Sequence, residues 1–348
     1  MIFCGDTVFP LDSTNNTLSL DKDFQNKPKI INLEALIVED LETKITTEGI
    51  ALNNHNKVIS FLNNLNVKAV SLANNHITDY DISITKQKES FEREDIEVFG
   101  AGNTLNEAKV PFKYKENNQE FAVLTFGWSV IGCQYANDNT RGVNPMKYEN
   151  ILTQVEALKK EKNIKIILNF HCNYEFELYP QPAHRAMFFN LIDLGVDAII
   201  CHHPHIVGGY EEYQGHPIFY SLGNFYFPET NYNGYNLKHK KEAREGLSVE
   251  YDGITENIKL YWTNKAEDNV LKITKTEYLS QSEKIKSLTP FSGMNHKEYI
   301  LWFKKNRLKN KLLPIYKNFQ SSKEEWMKNF FMDKRQKIIN YLVRKGLK

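Results

Sequence analysis

Cysteine is scarce in this chain: four in 348 residues, Cys4, Cys133, Cys172 and Cys201, with no paired spacing. That argues against a disulfide framework and fits a reducing compartment. Long hydrophobic runs are also absent, and none reaches the roughly 18–20 residues that a spanning helix needs. Met1 leads almost at once into an expected strand, not into a charged-then-apolar leader. Together these absences set the expectation of a cytoplasmic protein, without a signal peptide or a helical anchor. Net charge is nearly absent too, with 44 Lys and Arg against 43 Asp and Glu. The balance hides an asymmetry. Residues 297–348 hold 15 basic and 4 acidic side chains, leaving the remainder acidic. An acidic body with a basic tail implies two jobs or a docking surface. No nucleic-acid recognition motif accompanies the basic tail, so nucleic acid is not an expected partner. No internal repeat or low-complexity segment stands out. A content of 41% hydrophobic and 25% charged residues places the chain among ordinary globular proteins of one large domain or two smaller ones.

What is present is an alternation of short apolar runs and helix-period stretches. Met1–Cys4, Lys29–Leu33, Lys68–Leu72, Ile96–Phe99, Phe121–Phe126, Ile164–Phe170, Ala198–Cys201 and Ile218–Ser221 predict strands. Asn54–Leu65, Ser83–Arg93, Tyr148–Lys160 and Ala183–Leu194 predict helices, the last stopped by Gly195. This alternation predicts an α/β architecture with parallel strands. Leu247–Tyr251, Ile258–Thr263 and Val270–Tyr278 predict strands without intervening helices, as an antiparallel edge or a second sheet. From about Asn295 the pattern is helical, with Trp302, Phe303, Leu312, Ile315, Phe319, Trp326, Phe330, Phe331, Ile338, Ile339 and Leu342 as apolar positions. The expectation is a main domain over 1–280 and, over 281–348, a packed helical extension with a basic outer face. Docking of that extension on anionic lipid, polymer or a membrane synthase is the functional alternative.

The sharpest chemical signal is His202-His203-Pro204-His205, directly after the apolar run Val196–Ile200. Ligands bind at the C-terminal ends of strands in open α/β sheets, and imidazole is a common ligand for divalent transition metals. Other polar residues recur where expected strands end: Gly5-Asp6, Asn32-Leu33-Glu34, Asn74-Asn75-His76, His171 and Ser221-Leu222-Gly223-Asn224. Each is weak alone, since Gly-Asp is usually a turn and Asn-Asn-His more often a loop or cap. Their joint placement is the signal: a mixed O/N donor set suited to a pair of divalent ions such as Mn, Fe or Zn. Cys172 and Cys201 flank ligand positions but read as small buried strand residues. His55, His216, His239 and His296 have no constellation around them. Gly100-Ala101-Gly102 reads as a tight turn, because the strand–glycine–helix context of a dinucleotide site is missing.

In order and spacing, these pieces resemble the CapA-like capsule or poly-γ-glutamate synthesis family, a branch of the calcineurin-like metallophosphoesterases. The resemblance is carried by Gly5-Asp6, Asn32-Leu33-Glu34, Leu72-Ala73-Asn74-Asn75-His76 with Asp79, and Phe99-Gly100-Ala101-Gly102-Asn103 with Glu107-Ala108. It continues through His171 with Glu175, Asp193-Leu194-Gly195-Val196-Asp197, His203-Pro204-His205 and Tyr220-Ser221-Leu222-Gly223-Asn224-Phe225. It runs from residue 1 to about 228 and says little of residues beyond about 280.

The resemblance implies a four-layer αββα sandwich. It implies metal-ligand positions at Asp6, Glu34, Asn75, His171, His203 and His205, with Glu34 where a carboxylate bridges two ions. His76 stands where the superfamily places the residue that assists the leaving group. Asn74, Glu175, His184, Arg185 and Asn224 are candidate substrate-contacting or supporting residues, with Arg185 read either as a bidentate anion clamp or as a solvated helix arginine. One departure matters: the superfamily usually opens Asp-x-His, and here Val8 occupies the histidine position. His171-Cys172-Asn173 likewise stands where relatives commonly have His-Trp-Gly.

The expected function is a divalent-metal-dependent hydrolase of phosphoesters in a surface-polymer pathway, binding one or two ions and acting on an anionic phosphorylated molecule or polymer precursor. Two other classes stay open: a non-catalytic accessory module of a polymer synthesis or export complex, and a metal-dependent hydrolase of γ-glutamyl amides.

Overall fold

The computed structural model describes residues 1–10, 18–39, 42–47, 49–232, 235–265, 269–309 and 313–344. Fifteen strands build its two main sheets. In chain order they are β1 Ile2–Thr7, β2 Leu18–Ser19, β3 Lys29–Leu33, β4 Val67–Ser71 and β5 Glu97–Phe99; β6 Phe112–Glu116, β7 Gln119–Gly127, β8 Ile164–His171, β9 Ala198–His202 and β10 Tyr210–Tyr213; and β11 His216–Phe219, β12 Asn224–Tyr226, β13 Glu245–Glu250, β14 Lys259–Lys265 and β15 Leu271–Tyr278. The helices are α1 Lys22–Asn26, α2 Val58–Asn64, α3 Ile84–Glu92, α4 Leu105–Ala108, α5 Tyr148–Leu158, α6 Pro182–Asp193, α7 Glu283–Leu288, α8 His296–Asn306 and α9 Ser322–Arg344.

The larger sheet runs β2-β15-β14-β13-β1-β3-β4-β5, with β12 also paired to β1. Its half from β1 to β5 is parallel, whereas β13, β14 and β15 join antiparallel. Of the two arrangements expected for those late strands, an antiparallel edge is the one that forms. The second sheet runs β10-β11-β9-β8-β7-β6, parallel from β7 through β11. The sequence pattern does not announce β6 as a strand, because Phe-Lys-Tyr-Lys-Glu lacks a continuous apolar run.

Strand alternation explains the layering, since successive side chains point to opposite faces. On β1 and β3, Phe3 and Ile30 face the second sheet, where they share a cluster with Phe121, Val123, Ile167, Ile200 and Phe219. Ile2, Cys4, Ile31 and Leu33 face the other way, onto Val58, Phe61 and Leu62 of α2 and Ile84 and Phe91 of α3. The outer face of the second sheet, with Leu124, Phe126, Leu168 and Phe170, meets Ile151 and Val155 of α5 and Met187 and Phe188 of α6. Three apolar clusters thus separate four layers: helices, sheet, sheet, helices.

Phe291, Tyr299, Phe303, Leu313 and Tyr316 belong to this same outer cluster. The far C-terminal positions behave otherwise: Trp326, Phe330, Phe331 and Ile338 are exposed, not packed inward. Leu312 and the side chains of Ile339 and Leu342 lie outside the described residues. α2 starts at Val58, later than periodicity suggests, because Asn54 is used elsewhere. Its amide donates to the carbonyls of Glu34 and Ala35 and its Oδ1 accepts from Phe9 N, at 2.8, 2.8 and 2.6 Å.

β12 passes between β1 and β13 at very close range. A Cβ on Gly5 would fall 2.0 Å from Gly223 O, and one on Gly246 2.0 Å from Asn224 O. The same approach lets Asp6 N donate to Gly223 O at 2.9 Å. Gly5→Ala is therefore expected to push β1 off β12 and to destabilise the fold by about 1–3 kcal/mol, as overpacking does. Denaturant unfolding measures this, and an unchanged midpoint would contradict the close approach.

Candidate metal centre

β1, β3, β4, β8 and β9 deliver polar side chains at or just past their C-terminal ends, β12 supplies Asn224 at its start, and these meet where the two sheets come together. Asp6 on β1 is paired in register with Asn32 on β3 and Asn224 on β12. His171 at the end of β8 is paired with His202 on β9. Beyond the strands the chain turns sharply. Ala35, His203 and His205 adopt left-handed φ of 73°, 95° and 58°. Such values are strained for residues with a Cβ and concentrate at functional sites.

Asp6, Glu34 and His205 offer ligand atoms that all lie within 4.8 Å of one another. His205 Nδ1 is 3.2 Å from Asp6 Oδ2. Around Glu34 a second group gathers. His171 Nε2 lies 3.5 Å from Glu34 Oε1, 2.9 Å from Asn75 Oδ1 and 3.2 Å from His203 Nδ1. The six residues that the sequence named as ligands therefore converge, with Glu34 common to both groups.

The electrostatics are those of a cation site. Asp6 and Glu34 are fully buried, and among the described residues their ion-pair partners are histidines, with no lysine or arginine. Neither carboxylate oxygen of Glu34 has a hydrogen-bond partner, a costly arrangement for a buried polar group. Burial, reinforced by the charge of Asp6, pushes the Glu34 carboxyl up to about 7. Asp6 goes the other way. Burial alone would raise it, but hydrogen bonding and charge from His202 and His205 hold it well below the usual carboxylate range. Burial and the neighbouring His203 push His171 well below its ordinary value, leaving a neutral imidazole, which is the ligating form. Buried carboxylates facing histidines, with neither oxygen of Glu34 hydrogen-bonded, fit a divalent cation.

His76 stands at the open side. Its Nδ1 is 2.7 Å from Asp79 Oδ2, and Asp79 also accepts from Leu52 N. Burial disfavours its charged form, but Asp79 outweighs this and raises its pKa. Asn74 holds the loop, donating to Leu33 O at 2.8 Å and accepting from His76 N at 3.1 Å. Asn224 braces His205, with Oδ1 3.0 Å from Nδ1 while its amide donates to Ala243 O. Glu175 is exposed, and its charge acts on Glu34 and His205 from the rim.

Two candidates belong elsewhere. Arg185 is buried in a bidentate pair with Glu211, at 2.6 and 2.7 Å, and is sandwiched by the rings of Phe189 and Tyr299. Its fork is committed, so neither an anion clamp nor a solvated helix arginine describes it. His184 is buried in an aromatic nest, edge-on to Trp128 at 4.5 Å and to Tyr316 at 5.4 Å. Its ring is committed to that aromatic packing.

Other residues of the site escape a reading of the sequence. Asn32 Nδ2 bridges the ligands, 2.7 Å from Asp6 Oδ1 and 3.3 Å from His171 Nδ1. Its place one register step from Asp6 on a parallel strand is the available signal. His239 lacks a sequence constellation, yet its ring meets Phe227, which in turn meets His205. Val8 is fully buried with Ala35, Leu52, Phe227 and Tyr232, so this side of the centre is an apolar wall.

Residues 1–229 match the family described as bacterial capsule synthesis protein PGA_cap. The chain is 29% identical over 201 residues to the PGA biosynthesis protein CapA of Bacillus subtilis (strain 168), covering 57% of this chain and 52% of that protein. It is 31% identical over 164 residues to the capsule biosynthesis protein CapA of Bacillus anthracis, covering 46% of this chain and 40% of that protein. The chain thus spans about half the length of the curated relatives it matches. Among solved structures, the 5'-nucleotidase precursor of Thermus thermophilus aligns with a TM-score of 0.35 at 13% identity, over 80% of this chain and 50% of that one.

Two outcomes are expected. In chelator, the wild type should lose stability relative to Glu34→Gln as pH rises from 4.5 to about 7. Across that window the folded state holds the Glu34 proton and the unfolded state has released it. Thermal unfolding of the two proteins at several pH values checks this, and a difference independent of pH contradicts it. Mn²⁺ at a hundredfold excess over its Kd should stabilise the wild type by about 2.7 kcal/mol, and Glu34→Gln should lose most of that gain.

Proposed function

The chain belongs to the bacterial capsule synthesis protein PGA_cap family, and from that premise we propose that it is a divalent-cation-dependent hydrolase of phosphoesters serving surface-polymer biosynthesis. The observation that carries the proposal is the pair of buried carboxylates, Asp6 and Glu34, set among histidines from the other sheet, with neither Glu34 oxygen hydrogen-bonded.

Asp6, Glu34 and His205 would hold one cation, and Glu34, Asn75, His171 and His203 a second. A divalent cation in these positions supplies Lewis acidity toward phosphoryl oxygens and lowers the pKa of water. The protein's own groups carry the remaining work. His76, with Nδ1 tied to Asp79, would donate a proton from Nε2 to the departing oxygen. Its raised pKa keeps that proton available near neutral pH. Asp79 fixes the ring orientation, as a carboxylate does for a catalytic imidazole. Val8, Phe227 and Tyr232 exclude water from one flank. At the mouth, exposed Lys240 lies over the Phe176 ring at 4.7 Å, with Lys238 and Lys241 exposed beside it. A basic rim suits an anionic substrate.

The apolar wall at Val8 gives the Asp6 group one donor fewer than the superfamily pattern. We therefore assign the tighter site to Glu34, Asn75, His171 and His203. Assays of phosphomonoesters and phosphodiesters with added Mn²⁺ test the function, and metal-loaded protein without turnover on either class would overturn it. His76→Ala should lower kcat by about a hundredfold to ten-thousandfold while leaving Mn²⁺ binding, read by calorimetry, unchanged. Equal loss of metal binding would instead make His76 a structural residue.

A further inference from the structure

Ten large apolar side chains are exposed among the described residues, and five of them lie on one helix: Trp326, Met327, Phe330, Phe331 and Ile338 of α9. At 100° per residue they fall on a single arc of about 140°. Lys323, Lys334 and Lys337 are exposed on the same arc, with Lys334 Nζ 5.5 Å from the centre of the Phe330 ring. The opposite face is already used. Lys328 is buried over the Tyr316 ring at 3.9 Å, and Asn329 Nδ2 reaches Ser129 Oγ at 3.5 Å. The exposed arc is thus not the face by which α9 is seated: the seat is the opposite side, where Met332 also packs on the outer apolar cluster.

We propose that α9 is an in-plane membrane contact that docks the protein on a bilayer bearing anionic lipid. No helix among the described residues is long and apolar enough to cross a membrane. Aromatic side chains interleaved with lysines match the headgroup boundary instead. There the rings enter the acyl margin and the ammonium groups meet lipid phosphates. Charge selects the occupant. Residues 297–348 carry 15 basic and 4 acidic side chains, so a second copy pairing through this same face would bring like charge to it and an anionic surface would not.

The seat of α9 also ties this face to the metal centre. Tyr316, under Lys328, stacks on Trp128 at 5.8 Å, and Trp128 N donates to the carbonyl of His171 at 3.1 Å. The docking proposal does not depend on the hydrolase proposal.

Flotation of the full chain with vesicles tests it. Binding to phosphatidylcholine vesicles containing one-third phosphatidylglycerol should be at least about tenfold tighter than to phosphatidylcholine alone, and raised salt should weaken it. Lys334→Ala and Lys337→Ala should each weaken it about fivefold. Trp326→Glu with Phe331→Glu should abolish it with unchanged circular dichroism, since both side chains are exposed. Absence of binding, equal binding to both vesicles, or binding unaffected by the double glutamate variant would each overturn the proposal. So would a wild type that fails to float but self-associates, with the double variant monomeric, which would assign the face to a second copy.

Discussion

Two carboxylates buried side by side are the constraint from which the rest of this structure follows. Asp6 and Glu34 end adjacent parallel strands of one sheet, and both are removed from water. Like charges in so dry a place are tolerable only if opposing groups are fixed around them. Those groups come from the other sheet: His171 at the end of β8, and His202, His203 and His205 at and beyond the end of β9. The two sheets must therefore finish at one level and face each other closely. The apolar cluster between them, built on Phe3, Ile30, Phe121 and Ile167, sets that spacing. Gly5 and Gly246 let β12 press in beside Asp6 so that Asn224 can brace His205.

The loops that carry the donors are braced in turn. Asn54 clamps the turn after Glu34, and Asn74 clamps the turn that presents Asn75 and His76. The segment beyond residue 300 supports the loops after β7 and β8. Tyr174 donates to Pro314 O, Leu308 N donates to Glu177, and Tyr316 stacks on Trp128. The basic C-terminal region is thus packed against the scaffold of the metal centre, although the family match covers residues 1–229.

Much of the centre could be read from the chain because ligand chemistry is local. A Gly-Asp or an Asn-Asn-His is weak alone, and it is their joint placement at successive strand ends, with the resemblance it carries, that singles these residues out. Supporting residues have no such signature. Arg185 looked available because its partner Glu211 is 26 positions away and on another element. Asn32 looked like a mere neighbour of Glu34, although register brings it to Asp6. His239 had no constellation because Phe227 links it to His205 only in space. In the tail, apolar periodicity suggested inward packing, yet burial depends on which arc of α9 meets the body, and the body takes the Lys328 side.

By itself the sequence determined the α/β alternation, most of the strands, and the recurrence of polar residues where strands end, from which the family resemblance implied six donors and the histidine beside them. These depend on short-range periodicity and on the intrinsic chemistry of side chains. Only the tertiary structure decided that Asn32 and Asn224 stand in register with Asp6, that Val8 closes one flank with apolar packing, that Arg185 is committed to Glu211 and His184 to aromatic packing, and that α9 leaves an aromatic, lysine-studded face to the outside. Each of those depends on which distant segments share a buried volume, which strand order, register and close packing set together.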